Sequence, residues 1–228
     1  VIVDQMFTNV TVDTMTLGSN ITVPNLLCIS GTITNMTVGD NLVGTFASQS
    51  PQVTNMTFGS NSTLQSGGNA RYSNLTIGLN NTFESSAFSG CEITNLIMPA
   101  PISGLDTHQF NGAQFFSNNN ISSLPAYFSS SFVNTINSYL FYSNAFSGNI
   151  TFPSNLTIFD QYSFQYNSLT GITNPLPAYP VSFGSAVFSE NNFTAIPEFL
   201  GGISSGVLPS YTFRGNDFTS LTVDATNS

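Results

Sequence analysis

The chain has 228 residues, of which only 6% are charged, with a formal net charge of −9 and Arg71 and Arg214 as its two cations. Two cations cannot neutralise a phosphate backbone or hold an anionic membrane surface, which argues against nucleic acid and lipid headgroups as partners. No apolar run approaches the ~20 residues that span a bilayer, yet 40% of the residues are hydrophobic, including 21 Phe and no Trp, enough for a core.

Asn, Ser, Thr and Gly take the place of the missing charges, a composition that suits stacked strands and tight turns more than solvated helices. The chain opens at Val1 without Met or signal peptide, so it is expected to be processed or excerpted. In chain order, one short string returns with small changes. It reads Phe7-Thr-Asn9-Val10-Thr11-Val12, then Ile33-Thr-Asn35-Met36-Thr37-Val38, Val53-Thr-Asn55-Met56-Thr57-Phe58, Tyr72-Ser-Asn74-Leu75-Thr76-Ile77 and Ile93-Thr-Asn95-Leu96-Ile97-Met98. Its central apolar residues, Val10, Met36, Met56, Leu75 and Leu96, are spaced by 26, 20, 19 and 21 residues. Apolar and polar residues alternate within each copy, the period of a short strand. Met36 and Val38 are expected to point inward, Asn35 and Thr37 outward. The series continues through Leu124, Ile150, Ile172, Ile196 and Leu221.

From Phe88 a second signature joins it: Phe, two variable residues, Asn or Cys, one variable residue, then an apolar one. The lead residues Phe88, Phe116, Phe141, Phe164, Phe188 and Phe213 are spaced by 28, 25, 23, 24 and 25 residues. A period in the twenties is the mark of a solenoid. The expected fold is an all-β-dominated repeat solenoid of about ten coils, with one parallel β-sheet and little helix. It forms a single domain over 1–228, with divergent strand-type coils in 1–84 and Phe-x-x-Asn/Cys coils in 85–228. The lead Phe residues should stack as an aromatic spine, with the following Asn bonding backbone groups freed at the turn. The least regular stretch, Pro99 to Gly148, is expected to carry a bulge or extra loop near Ser103 to Phe115.

Cys28 and Cys91 fall three coils apart, about 14 Å at ~4.8 Å per coil. A disulfide needs Cα atoms within roughly 7 Å, so two buried free thiols are expected. His108 is the single histidine, in Asp106-Thr-His108-Gln-Phe110, and without a partner motif it reads as structural. The eleven carboxylates are scattered, and no grouping suits a catalytic pair, zinc or calcium. The chain is therefore read as non-enzymatic, with no catalytic residues, no metal and no cofactor. The column Thr11, Thr37, Thr57 and Thr76 is read as β-favouring outward positions before an ice-binding face.

Eleven Asn residues stand in Asn-x-Ser/Thr sequons: Asn9, Asn20, Asn35, Asn55, Asn61, Asn74, Asn80, Asn120, Asn149, Asn155 and Asn192. Either they carry N-glycans, which would solubilise a charge-poor surface, or an Asn/Thr-rich strand repeat generates them incidentally. The ends, Val1, Ile2 and Val3 and then Phe218, Leu221 and Val223, read as uncapped coils. Open strand edges template further strands, and head-to-tail contact of that kind builds a filament. Excision from a longer solenoid is the alternative.

The Phe-led strings, above all Ala87-Phe88-Ser-Gly-Cys91 and Ala145-Phe146-Ser-Gly, resemble the leucine-rich repeats of the bacterial and protist surface-antigen type, the BspA-like class. In that family an Ala-Phe-x-x-Cys turn precedes a short strand and Pro. The likeness covers roughly residues 85–224, and residues 1–84 share only the strand. Asn mostly replaces Cys, and the coil length wanders. The resemblance implies an extracellular right-handed solenoid used in adhesion or surface architecture, without catalytic residues. The first expectation is an extracellular or cell-surface structural protein, glycosylated, whose copies stack end to end. The second is an adhesin or receptor-type module holding a protein or glycan on its sheet face or on the loops near Ser103–Phe115.

Overall fold

The computed structural model describes residues 7–23, 29–45, 51–65, 70–173, 182–195, 197 and 208–219. Strands alternate along the chain between two walls of a parallel solenoid. The first wall runs β1 (Phe7–Leu17), β3 (Ile29–Val38), β5 (Pro51–Phe58), β7 (Arg71–Ile77) and β9 (Asn95–Ile97), and resumes as β12 (Ser147–Ile150) and β14 (Ser168–Ile172). The second runs β2 (Thr22–Val23), β4 (Val43–Thr45), β6 (Thr63–Gln65), β8 (Thr82–Glu84) and β10 (Gln109–Asn111), and resumes as β11 (Thr135–Ile136), β13 (Ile158–Phe159) and β15 (Ser182–Phe183). The single sheet expected is thus four sheets, and the strands mark about seven turns where about ten coils were expected. Elsewhere successive coils bond without strand geometry, as from the Asn120 N–H to the Ile93 carbonyl at 2.8 Å. Among the described residues, helix is confined to 3-10 turns at Gly104–Asp106 and Ala126–Ser129.

The repeat strings pair in register: Asn35, Met36 and Thr37 with Asn55, Met56 and Thr57, and these with Asn74, Leu75 and Thr76. Met36, Val38, Met56, Phe58, Leu75 and Ile77 are all buried, as the alternation requires. The first copy is corrected. Val12, Met15 and Leu17, not Val10 and its neighbours, pair with Ile33, Met36 and Val38. The apolar match of the later triad wins, and the outward Thr column is Thr16, Thr37, Thr57 and Thr76, without Thr11.

Between the walls, the strand turns sharply at Gly18-Ser-Asn20, Gly39-Asp-Asn41, Gly59-Ser-Asn61 and Gly78-Leu-Asn80. The four Asn take φ of 61°, 57°, 56° and 53°, the left-handed region that Asn tolerates better than other side-chain-bearing residues. A Cβ on Gly59 or Gly78 would sit 2.7 Å from the carbonyl carbon of the glycine one coil before, so the column can stack this closely only as glycine.

In the second half the spine forms as expected. Rings Phe88, Phe116, Phe141, Phe164, Phe188 and Phe213 stack in sequence at 5.7, 6.5, 5.5, 6.0 and 5.6 Å, all within 30° of parallel. Phe116, Phe141, Phe164 and Phe188 are fully buried. Beside the rings runs a ladder of asparagines. The Asn167 amide donates to the carbonyls of Phe141 (2.9 Å) and Phe164 (3.1 Å), and its Oδ1 accepts from the Phe146 N–H (3.1 Å). Asn119, Asn144, Asn191 and Asn216 likewise reach a carbonyl of the preceding Phe-led turn and accept from the N–H of its following strand segment. Each Asn therefore joins two coils, satisfying backbone groups that burial would otherwise leave unpaired. Cys91 holds the first ladder position; it is a buried free thiol with Sγ 3.7 Å from the Ser89 carbonyl. Burial pushes that thiol up to about 12, the opposite of a reactive cysteine. Cys28 lies outside the described residues.

Candidate binding surface

Both walls lose their strands over residues 112–134, between β10 and β11 on one side and β9 and β12 on the other. Pro99 and Pro101 follow β9, and Pro125 follows the matching segment one coil on; proline cannot donate to a ladder. The loop leading in, at 99–107, falls largely within the irregular stretch expected near Ser103. It is held by Ser103 Oγ donating to Asp106 Oδ2 at 2.8 Å and Thr107 Oγ1 donating to the Gly104 carbonyl at 2.9 Å. It presents Ile102 and Leu105 at 85% and 86% exposure. Ser130 Oγ donates to the Pro101 carbonyl at 2.7 Å and brings the next loop alongside, where Phe132, half exposed, lies against Gly104. Three large apolar side chains are thus exposed on two neighbouring loops, and exposed apolar surface of this kind is typical of interaction sites.

Behind this patch, a cleft of about 260 Å³ opens between Thr107–Phe110 and Phe132–Asn137. His108 lines it and ends a buried polar relay of the second wall. The Leu42 N–H donates to Ser62 Oγ, the Ser62 N–H to Asn81 Oδ1, the Asn81 N–H to His108 Nδ1, and the backbone N–H of His108 to the Tyr127 hydroxyl. Burial lowers the His108 pKa to about 4, so the ring is neutral, and Nδ1, as acceptor, leaves the hydrogen on Nε2. That Nε2 has no partner among the described residues. Burial raises the Tyr127 phenol to about 12, with the His108 N–H pulling the other way. The geometry makes His108 a structural link, as the sequence implied. On the other wall, Ser122, Ser123, Ser129, Ser147 and Thr151 rim a second cleft of about 310 Å³.

The sequons divide by what holds their side chains. Asn35, Asn55 and Asn74 are bonded amide to amide at 2.8 Å, and Asn61 accepts from Asn80 at 2.9 Å. Asn20 accepts from Asn41, and Asn149 from Thr170 Oγ1. Asn155 donates to the carbonyls of Phe128, Ser130 and Val133 and is half buried. Asn9 is exposed in β1. Asn120 and Asn192 are exposed, each one residue past a ladder Asn. Of the expected assembly ends, Phe218 is half buried, while Val1, Ile2, Val3, Leu221 and Val223 lie outside the described residues. No group of three or more His, Cys, Asp or Glu stands ready for a metal among the described residues. The tyrosines of the turns escaped the sequence reading. The Gly-x-Asn turns were marked by their recurrence straight after each strand.

Parallel coils with a short strand, a tight turn and an interior spine of repeat residues define a solenoid of the leucine-rich-repeat class. The chain belongs to the BspA-type leucine-rich repeat family, whose sequence profile it matches in six copies over residues 1–115 and 69–194. No curated protein and no solved structure matches it. No helix among the described residues is long and apolar enough to cross a membrane.

Proposed function

We propose that the chain is an extracellular, adhesion-type binding module that docks a protein surface on Ile102, Leu105 and Phe132. The observation carrying this reading is the near-complete exposure of two aliphatic side chains on a loop braced by its own hydrogen bonds. Covering such side chains is favourable in proportion to the apolar area removed from water. A braced loop also loses little conformational freedom on binding. Aliphatic side chains suit a protein partner better than a sugar, which needs polar groups to hold its hydroxyls. Among the sequons, Asn120 and Asn192 are exposed and free of the amide ladders, and in this reading they carry the glycans.

Beads coated with the chain are tested on immobilised extracellular-matrix proteins and, in parallel, on arrayed glycans. Adhesion to protein that is lost in Ile102→Asp/Leu105→Asp supports the reading. Adhesion unchanged by the double substitution, or confined to glycans, overturns it.

End-to-end assembly is the second reading. Phe213 and Phe218, in the last described coil, are only half buried and border an apolar groove of about 290 Å³, whereas Phe188 and Phe193 one coil inward are fully buried. A second copy would complete that coil. Negative-stain images separate the two readings: filaments with one solenoid length as axial repeat favour assembly, isolated short arcs favour the adhesin.

A further inference from the structure

Seven of the chain's eight tyrosines are described. Tyr72 and Tyr127 are buried, and the other five stand on the turn edge of the Phe-led coils. Four of those gather on two successive turns. Tyr139 and Tyr162 stack at 4.6 Å and 23°, and Tyr142 meets Tyr166 edge-on at 5.4 Å.

The fold does not ask for tyrosine here. Each Phe-led turn has two left-handed positions, two residues before and two after the lead Phe. Tyr139, Tyr162 and Tyr166 occupy them with φ of 56°, 61° and 57°. In other turns the same places hold Ser86, Gln114, Ala186 and Tyr211 before the Phe and Gly90, Asn118, Glu190 and Gly215 after it, so tyrosine is one choice among several. A bulky residue at positive φ is strained, at a cost of order ~1–3 kcal/mol. Such strain, repeated at partly exposed rings that add little to the core, points to a use beyond packing.

The backbone fixes the rings without help from them. The Tyr139 N–H bonds the Gln161 carbonyl at 3.1 Å, Phe141 bonds Ser163 at 3.0 Å, and Ser143 bonds Gln165 at 2.8 Å. The stack covers one face each of Tyr139 and Tyr162 and holds the two rings against one another. Burial, then the neighbouring phenols, raise the Tyr139 pKa, which keeps it a neutral phenol that must give up a proton with its electron. The chain has no Trp, and Cys91, the one cysteine among the described residues, is buried, so neither competes for an oxidising equivalent at this edge.

We propose that Tyr139 and Tyr162 form an oxidative cross-linking site, joined as dityrosine by a peroxide-driven, peroxidase-type one-electron oxidant. Each phenol loses one electron and one proton. The two phenoxyl radicals then couple through ring carbons ortho to oxygen, and proton shifts from those carbons restore both hydroxyls. Two phenols and one peroxide give one biaryl and two waters, with the peroxide as the species reduced. The bond ties two successive coils covalently.

The test treats the purified chain, dilute, with a peroxidase and hydrogen peroxide. The expected result is dityrosine fluorescence in the monomer, an intact mass lower by two hydrogens per link, and a peptic fragment joining residues 139 and 162. Tyr139→Phe keeps the ring and the fold, checked by circular dichroism, and loses that joined fragment. The proposal is overturned if the monomer forms no dityrosine, if joined fragments come only from dimers, or if urea-unfolded chain forms the 139–162 link equally well.

Discussion

Asn167→Ala tests whether the asparagine ladder holds the coils together. Asn167 is 7% exposed. Its removal strips a donor from the Phe141 and Phe164 carbonyls and an acceptor from the Phe146 N–H. The third carbonyl within reach, Gln165 at 3.4 Å, contributes little at that distance. The Phe164 carbonyl keeps the Asn191 amide at 2.9 Å, so the Phe141 carbonyl and the Phe146 N–H are the two groups left unpaired. At about 1–3 kcal/mol each, with entering water recovering part, the expected loss is about 2–4 kcal/mol. Asn167→Asp is the sharper control. It keeps the acceptor for Phe146 but turns a carboxylate toward two carbonyls. At neutral pH it should therefore be no better than Ala, and its deficit should narrow on acidification, when the carboxyl regains a proton to donate. Urea melts give the total. Because stacked repeats can unfold in parts, hydrogen exchange at Phe146 gives the local effect. An Asn167→Ala chain within ~0.5 kcal/mol of the parent, with Phe146 still protected, would refute the reasoning.

Two further predictions concern the interior. Phe164 is fully buried between Phe141 and Phe188, so Phe164→Ala should lower stability by about 3–5 kcal/mol in urea melts, and Phe164→Leu by clearly less. Equal losses for both would show that filling the volume restores nothing without the ring, which would refute the packing argument. His108 has a folded pKa of about 4 against an ordinary 6.5. As pH falls the unfolded chain takes up this proton first, so stability is whole above the unfolded value and drains away down to the folded one. The total is on the order of 3 kcal/mol. Urea midpoints measured from neutral pH down to the folded pKa should fall more steeply in the parent than in His108→Gln, and superimposable curves would sink the assignment.

The aromatic spine was legible because six Phe at similar spacing carry the same chemistry, and stacking needs only that each turn place one ring above the last. The strand pairing of Met36, Met56, Leu75 and Leu96 was legible for the same reason. The first strand was not. Phe7 to Val12 and Val12 to Leu17 both alternate, so a slip between them changes nothing in the pattern, and only pairing with Ile33, Met36 and Val38 decides it. The division into separate sheets was also hidden. Pro99, Pro101 and Pro125 mark irregularity, but where hydrogen bonding lapses depends on both neighbouring coils. The exposure of Ile102 and Leu105 accompanies that lapse, since without a strand no alternation assigns them a face. The tyrosines escaped because Tyr is not expected at positive φ; propensity argues for Asn or Gly at those places.

A chain so poor in charge still needs directional bonds between coils, and asparagine supplies them. The one ion pair among the described residues, Arg71 with Glu92 at 3.2 Å, has both side chains more than half exposed and contributes little. Amides work in columns instead: Asn35, Asn55 and Asn74 along the strands, Asn20 with Asn41 and Asn61 with Asn80 at the turns, and Asn119 through Asn216 beside the spine. An amide both donates and accepts, so it can pass a bond from coil to coil without end, which neither a carboxylate nor an ammonium can do. The strand also favours Thr two residues on, where the side chain again faces outward. Asn-x-Thr therefore recurs wherever the amide column and the outward Thr column run together, whether or not a glycan is attached. Asn120 and Asn192 stand one place beyond the ladder, where no amide column requires them, and it is at these two positions that a sequon carries independent information.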